Sequence, residues 1–199
     1  MASLLSFTLT CLLIELTPGP NMTWLAVISV TKGMRAGLAS VAGVASGLLL
    51  IGLAAAFGVA ELVRASPVLY EVLRWAGVAF MLYLAADGWR GGDDAEEGEG
   101  DGKYFLRGFI TNVLNPKAAL FYVTLLPAFL DPAGDVLNGT LVLTAIYVAV
   151  ATAVHAAIVL GGAQLAPLLA NPRQRTLVRK VLSALLALVA LWLAWSTAR

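Results

Sequence analysis

Apolar runs long enough to cross a bilayer dominate this chain, and proline interrupts two of them near mid-span. A helical span needs about 20 mostly apolar residues. Such windows fall at approximately 4–30, 37–60, 67–89, 105–129, 138–163 and 176–197. The runs are continuously apolar and lack the alternation of a barrel strand, which favours helices. The whole chain bears the reading out: 60% of the 199 residues are hydrophobic and 13% are charged, with a mean hydropathy of +0.86. A soluble domain carries roughly 25% charged and about 45–50% apolar residues. Lipid must therefore solvate much of this surface, and the expected fold is an all-α polytopic membrane protein with six transmembrane helices in a single domain, 1–199.

Charge and cysteine content narrow the function classes. A formal net charge of +1 gives no reason to expect nucleic-acid binding. Cys11 is the sole cysteine, so neither an intramolecular disulfide framework nor a thiolate metal cluster can form. Residues 1–17 hold no Lys or Arg, and Glu15 breaks the apolar run, so the N-terminus does not read as a signal peptide. Thr8-Leu9-Thr10 lacks the small residue of a lipoprotein site, and the first helix is expected to stay in the mature protein.

The connections set an orientation. Residues 91–103, GGDDAEEGEGDGK, hold six of the twelve acidic residues and no large apolar side chain. Such a stretch cannot bury enough surface to order itself and reads as a solvated linker. Nine basic residues gather on one side: Lys32, Arg35, Arg90, Lys103, Arg107, Arg173, Arg175, Arg179 and Lys180. Three lie opposite: Arg64, Arg74 and Arg199. The positive-inside rule then places the loops near 31–36, 90–104 and 171–180 in the cytoplasm, with both termini outside. Trp89 and Tyr104 mark the inner boundary, and Tyr70, Trp192 and Trp195 the outer one. Gly43 and Gly47 form a GxxxG pair in the second segment, suited to packing within one bundle, to a homodimer seam or to a sliding surface.

The breaks themselves are expensive. Pro18-Gly19-Pro20 falls in segment one and Pro116 in segment four. Each proline deletes a backbone donor and clashes with the preceding turn. Irregular backbone survives at membrane depth only where protein or a water-filled cavity receives it. The Pro-Gly-Pro run is a strong breaker, whereas the lone proline of Asn115-Pro116-Lys117 is compatible with a simple kink. Both breaks open a three-helix unit, about 4–89 and about 105–197, and the third members share LYLA at 82–85 and LWLA at 191–194. An odd number of helices used twice gives two inverted repeats, the pattern in which paired broken helices mark a midplane site of a secondary transporter.

At these residues the sequence resembles the LysE/RhtB family of amino-acid exporters. The carrying stretches are ELTPGPN, TKGMRAGLASVAGVASG, LRWAGVAFMLYLAADGWR and FLRGFITNVLNPKAALFYVTLLPAF, within about residues 12–132. The resemblance implies a six-helix protein of the bacterial inner membrane that exports amino acids or related metabolites at the expense of the proton gradient. It also implies that Pro18-Gly19-Pro20 and Asn115-Pro116-Lys117 are core motifs. The family often has Asp at the position held here by Asn21, so the resemblance brings no carboxylate there.

Ionisable groups deep in a span cost at least about 2.5–3.5 kcal/mol on insertion scales and are functional candidates. Three stand out: Glu15, Lys117 and His155. Glu15 and Lys117 flank the two breaks, where they either pair with each other or bind the two ends of a zwitterionic substrate. In the second case Lys117 and backbone N–H groups freed at the breaks face a carboxylate, while Glu15 faces an ammonium or carries a proton. His155 suits proton exchange, or simply donates to a nearby carbonyl. Asn112 and Asn115 are spaced to share a helix face, bridging helices or lining a cavity. The candidate substrate site is therefore Glu15, Thr17, Pro18, Gly19, Pro20, Asn21, Asn112, Asn115, Pro116 and Lys117, with Glu15 and His155 for proton coupling.

Rival functions fit less well. A metal-ion exporter would need clustered thiolates, imidazoles or carboxylates, and the spans supply one Cys, one His and one deep carboxylate. A passive channel of similar architecture is the other alternative. GxSxG, HExxH and paired deep aspartates are absent, so no enzyme is expected. Without a P-loop, no nucleotide or other cofactor is expected and uphill transport must draw on an ion gradient. The expected partners are a small zwitterionic substrate, the lipid bilayer and, through the glycine pair, a second copy of the chain.

Overall fold

A computed structural model of the chain describes residues 4–16, 19–58, 66–90, 100–131, 134–165 and 172–196. Thr17, Pro18, Arg64, Arg199 and linker residues 91–99 lie outside the described residues, as do the side chains of Tyr70, Arg74, Pro116 and Arg175. Every regular element described is helical: α1 Leu4–Leu16, α2 Pro20–Lys32, α3 Met34–Ala56, α4 Pro67–Arg90, α5 Asp101–Val113, α6 Pro116–Leu120, α7 Val136–Leu165 and α8 Pro172–Ser196. After α6 the chain continues through a π-helical turn, Phe121–Leu125, and a 3₁₀ turn, Leu126–Phe129.

Two helices are each long and apolar enough to cross a bilayer, α3 and α7. Taking each bent pair, α1 with α2 and α5 with the segment Lys117–Phe129, as one span raises the number to four. Helices α4 and α8 have 24 and 25 residues, sufficient length, but are less continuously apolar. Many large apolar side chains face outward, among them Leu5, Leu13, Leu49, Leu50, Leu188 and Trp192, as a lipid-solvated surface requires.

Both proline motifs break their helices outright. Helix α1 stops at Leu16, α2 restarts with Pro20 in its first turn, and the pair is bent by 60°. At the second motif, where a lone proline left a simple kink open, the helix is broken and bent by 50°. The reason is local. Pro116 occupies the first helical position, where its missing donor costs nothing, and the Asn115 side chain accepts from the Lys117 backbone N–H at 3.0 Å. A proline preceded by a good N-cap starts a new helix rather than bending an old one.

Some connections differ from the sequence reading. The loop near 31–36 shrinks to Gly33 between α2 and α3, held at φ 88°, a left-handed geometry that a side chain would strain. The linker's last residues, 101–103, are the first turn of α5, where Asp101 pairs with Arg35 at 2.9 Å. Asp87 of α4 meets Arg107 of α5 at 3.2 Å.

Packing follows a reciprocal pattern. Helix α3 packs most extensively on α5 and also on α7, α4 packs on α8, and α7 packs on both α1 and α2. Small residues allow the closest of these approaches. A Cβ on Gly43 would overlap the Phe105 carbonyl, and one on Gly108 would overlap the Ser40 carbonyl. A Cβ on Gly47 would lie 3.0 Å from the Asn112 side chain. The glycine pair of α3 therefore faces α5 of the same chain.

Candidate functional site

The site forms where the two breaks meet. Glu15, in the last turn of α1, is a carboxylate with 4% of its surface exposed. One oxygen, Oε1, accepts from the Tyr147 hydroxyl at 2.8 Å, and Oε2 lies 3.1 Å from His155 Nε2. Tyr147 and His155 sit two turns apart on α7, so both point from one helix face toward the end of α1. Phe121 stacks on the Tyr147 ring, centroids 3.7 Å apart, and fixes its orientation. His155 Nδ1 has no hydrogen-bond partner among the described residues.

Lys117 arrives from the other break. Its Nζ donates to the Ile14 carbonyl at 2.6 Å. That carbonyl is in the final turn of α1, whose orphan acceptors and negative dipole end favour a cation. No ion pair joins Glu15 to Lys117 among the described residues: the carboxylate turns to α7 and the ammonium to the backbone of α1. Asn21, in the first turn of α2, donates from Nδ2 to Asn112 Oδ1 of α5 at 2.8 Å, a second tie between the breaks. The remaining Asn21 Oδ1 and Asn112 Nδ2 are buried with no hydrogen-bond partner among the described residues.

Glu15, Gly19, Asn21, Met22, Asn115, Lys117, Ala118, Tyr147 and His155 enclose a cavity of about 10 Å³. That is about the space one water molecule requires. The lining mixes anionic, cationic, amide and imidazole groups in an otherwise apolar interior. It can hold both ends of a dipolar solute if it widens, and it can pass a proton between a carboxylate and an imidazole.

Most sequence candidates converge here. Glu15, Gly19, Asn21, Asn115, Lys117 and His155 line the cavity, and Asn112 adjoins it through Asn21. Pro20 and Pro116 each begin the helix after a break. Thr17 and Pro18 lie outside the described residues. One expectation is corrected. Asn112 and Asn115 do not share a helix face, because α5 ends between them; the Asn115 N–H instead closes a turn onto the Asn112 carbonyl at 2.9 Å. Tyr147 escaped the sequence reading, since a tyrosine in an apolar helix reads as packing; its spacing of eight from His155 was the available signal. Among the described residues no group of three or more His, Cys, Asp or Glu side chains could hold a metal ion.

A broken-helix membrane core with charges gathered at the breaks defines a transporter-like class. The family model for the LysE type translocator matches residues 12–197, and the chain belongs to that family. It is 27% identical over 194 residues to the homoserine/homoserine lactone efflux protein of Salmonella typhimurium, covering 95% of this chain and 94% of the relative. The leucine efflux protein of Salmonella choleraesuis is 33% identical over 132 residues, 63% of this chain and 62% of the relative. No solved structure matches. With its apolar helices and these relatives, the chain is a multi-pass protein of the inner membrane.

Proposed function

We propose that this protein exports amino acids or related small metabolites from the cytoplasm by proton antiport with alternating access. The observation that carries the reading is the meeting of two helix breaks at one buried cavity lined by Glu15, Lys117 and His155. A zwitterion brings an ammonium and a carboxylate. Glu15 receives the first, and Lys117 with the polar turn at 115–117 receives the second. Glu15 also takes the proton, with His155 at 3.1 Å as its exchange partner. Substrate ammonium and proton then compete for one carboxylate, so that binding of one expels the other. Two of the solutes in the relatives' names, homoserine and leucine, are small zwitterions of this kind; homoserine lactone keeps the ammonium for Glu15 but carries an ester where the carboxylate would be.

The size of the cavity supports alternating access. At about 10 Å³ it is far too small for an amino acid, so loading requires the lining elements to part. The Lys117–Ile14 and Asn21–Asn112 hydrogen bonds both cross between the breaks, and they are the bonds such an opening must release.

The architecture we propose is six transmembrane helices in two inverted repeats, α1–α4 and α5–α8. Reciprocal packing supports it: α3 of the first half lies on the broken helix of the second, and α7 of the second half lies on the broken helix of the first. The nine-to-three basic bias supports cytoplasmic loops near 31–36, 90–104 and 171–180, with both termini outside. Because Gly43 and Gly47 are engaged by α5, a homodimer would use another face.

The test is growth of an overexpressing strain on a panel of inhibitory amino acids and dipeptides, with efflux then followed in everted vesicles. Selective relief of one compound's toxicity, abolished when the proton gradient is collapsed, is the expected result. Efflux that persists without the gradient would mark a passive channel. Wild-type export by both Glu15→Gln and Lys117→Ala would remove these residues from the site.

A further inference from the structure

A second, larger cavity lies between the C-terminal part of α4 and α8, remote from the helix breaks. It measures about 600 Å³ and is lined by Leu82, Ala85, Ala86, Trp89, Arg90, Ser183, Ala184, Ala187 and Leu188. From these residues and their order along the helices, we propose that the groove is a binding site for one anionic phospholipid.

The groove changes character along its length in the order a phospholipid does. At one end Arg90 lines it, and Lys180 Nζ stands 5.4 Å from the centre of the Trp89 ring, which also lines it. Two cations and an interfacial tryptophan make a headgroup end. The nearby carboxylate of Asp87 is already paired with Arg107 at 3.2 Å, so it does not neutralise this end. About one helical turn further along α8 comes Ser183, 2% exposed, whose hydroxyl has no hydrogen-bond partner among the described residues. A hydroxyl at that depth meets the ester carbonyls that lie just below a lipid phosphate. Beyond it the walls are alanine and leucine alone: Leu82, Ala184, Ala187 and Leu188. From Trp89 to Leu82 the channel runs about 10 Å at the rise of a helix, and it receives the upper part of an acyl chain. Phosphate, ester and chain thus each find a matching layer. A zwitterionic lipid sets its own cation beside the phosphate, which Arg90 and Lys180 disfavour, whereas an anionic lipid brings none.

The test uses the full-length protein in detergent, titrated with phosphatidylglycerol or phosphatidylcholine, with retained lipid counted by native mass spectrometry. One phosphatidylglycerol should be held with roughly thirtyfold preference, as two basic groups at about 1 kcal/mol each provide. The double variant Arg90→Gln, Lys180→Gln should lose the preference while still binding either lipid weakly. Ala184→Phe should abolish retention of both by filling the groove. Should that variant fail to fold, the charge variant, altered only at the rim, decides alone. Equal retention of the two lipids, or a preference unchanged in the charge variant, overturns the proposal. So does a doubled mass that dissociates when Ala184→Phe is introduced, which would give the groove to a second copy.

Discussion

The two helix breaks solve the same problem by different means. At the second, the chain repairs itself: Asn115 caps α6 through the Lys117 N–H, and Pro116 begins the helix. At the first, α2 begins with Pro20 behind a Gly19 that offers no side-chain cap, and the terminal turn of α1 receives its cation from Lys117, in the other half of the chain. Among the described residues, one break is self-contained and the other is completed from a distance. A self-capped turn keeps its shape whatever its neighbours do. A turn completed across the interface keeps its shape only while the two halves are in register, so the proposed alternating access would displace α1 and its Glu15 before α6.

Substitutions at the two breaks and at the seam beside them should differ widely in effect. Gly43→Leu should have the greatest, because its side chain would drive into the Phe105 carbonyl and separate the helix carrying the self-capped break from α3. Loss of folded protein in detergent, read by size-exclusion chromatography, is expected. Glu15→Gln should come next: it removes the charge facing His155 and should lower export in vesicles by at least tenfold, with folded protein still recovered because the amide oxygen can accept from Tyr147. Lys117→Ala should follow, lowering export and loosening the first break, and it should raise hydrogen exchange in α1 more than in α6. Lys117→Arg should restore part of both. Tyr147→Phe deletes one donor to Glu15 at a net cost of about 1 kcal/mol, so export should fall severalfold with its pH profile displaced. Asn115→Ala should have the smallest effect, about 1 kcal/mol of stability from a lost cap. If it opened α1 as much as Lys117→Ala does, the distinction between the breaks would be wrong.

The extent to which the sequence announced this site can be judged from its residues. Proline chemistry made both breaks legible, because a ring without an N–H has the same consequence wherever it stands. Glu15, Lys117 and His155 were legible as charges too costly to bury idly. Their pairing was not. Glu15 and His155 are separated by most of the chain, and only the packing of α1 on α7 brings them within 3.1 Å. The same holds for Asn21 and Asn112, which tertiary structure joins at 2.8 Å. Asn115 misled in the opposite sense. Its spacing from Asn112 suggested a shared face, yet an N-cap side chain followed by proline ends one helix and begins another. Nor does composition foretell the π-helical turn at Phe121–Leu125, since no residue type requires an i→i+5 bond.

The cavity of about 10 Å³ at the breaks has one more consequence, and it concerns insulation. A membrane that stores energy as a gradient loses it through any continuous wet path. Space for a single water, enclosed by Met22, Ala118 and the polar lining, carries neither a hydrated ion nor an amino acid. On the proposed function, this cavity as it stands belongs to the barrier. The side chains that the proposed transport would part for a substrate would then also keep the membrane from leaking in its absence.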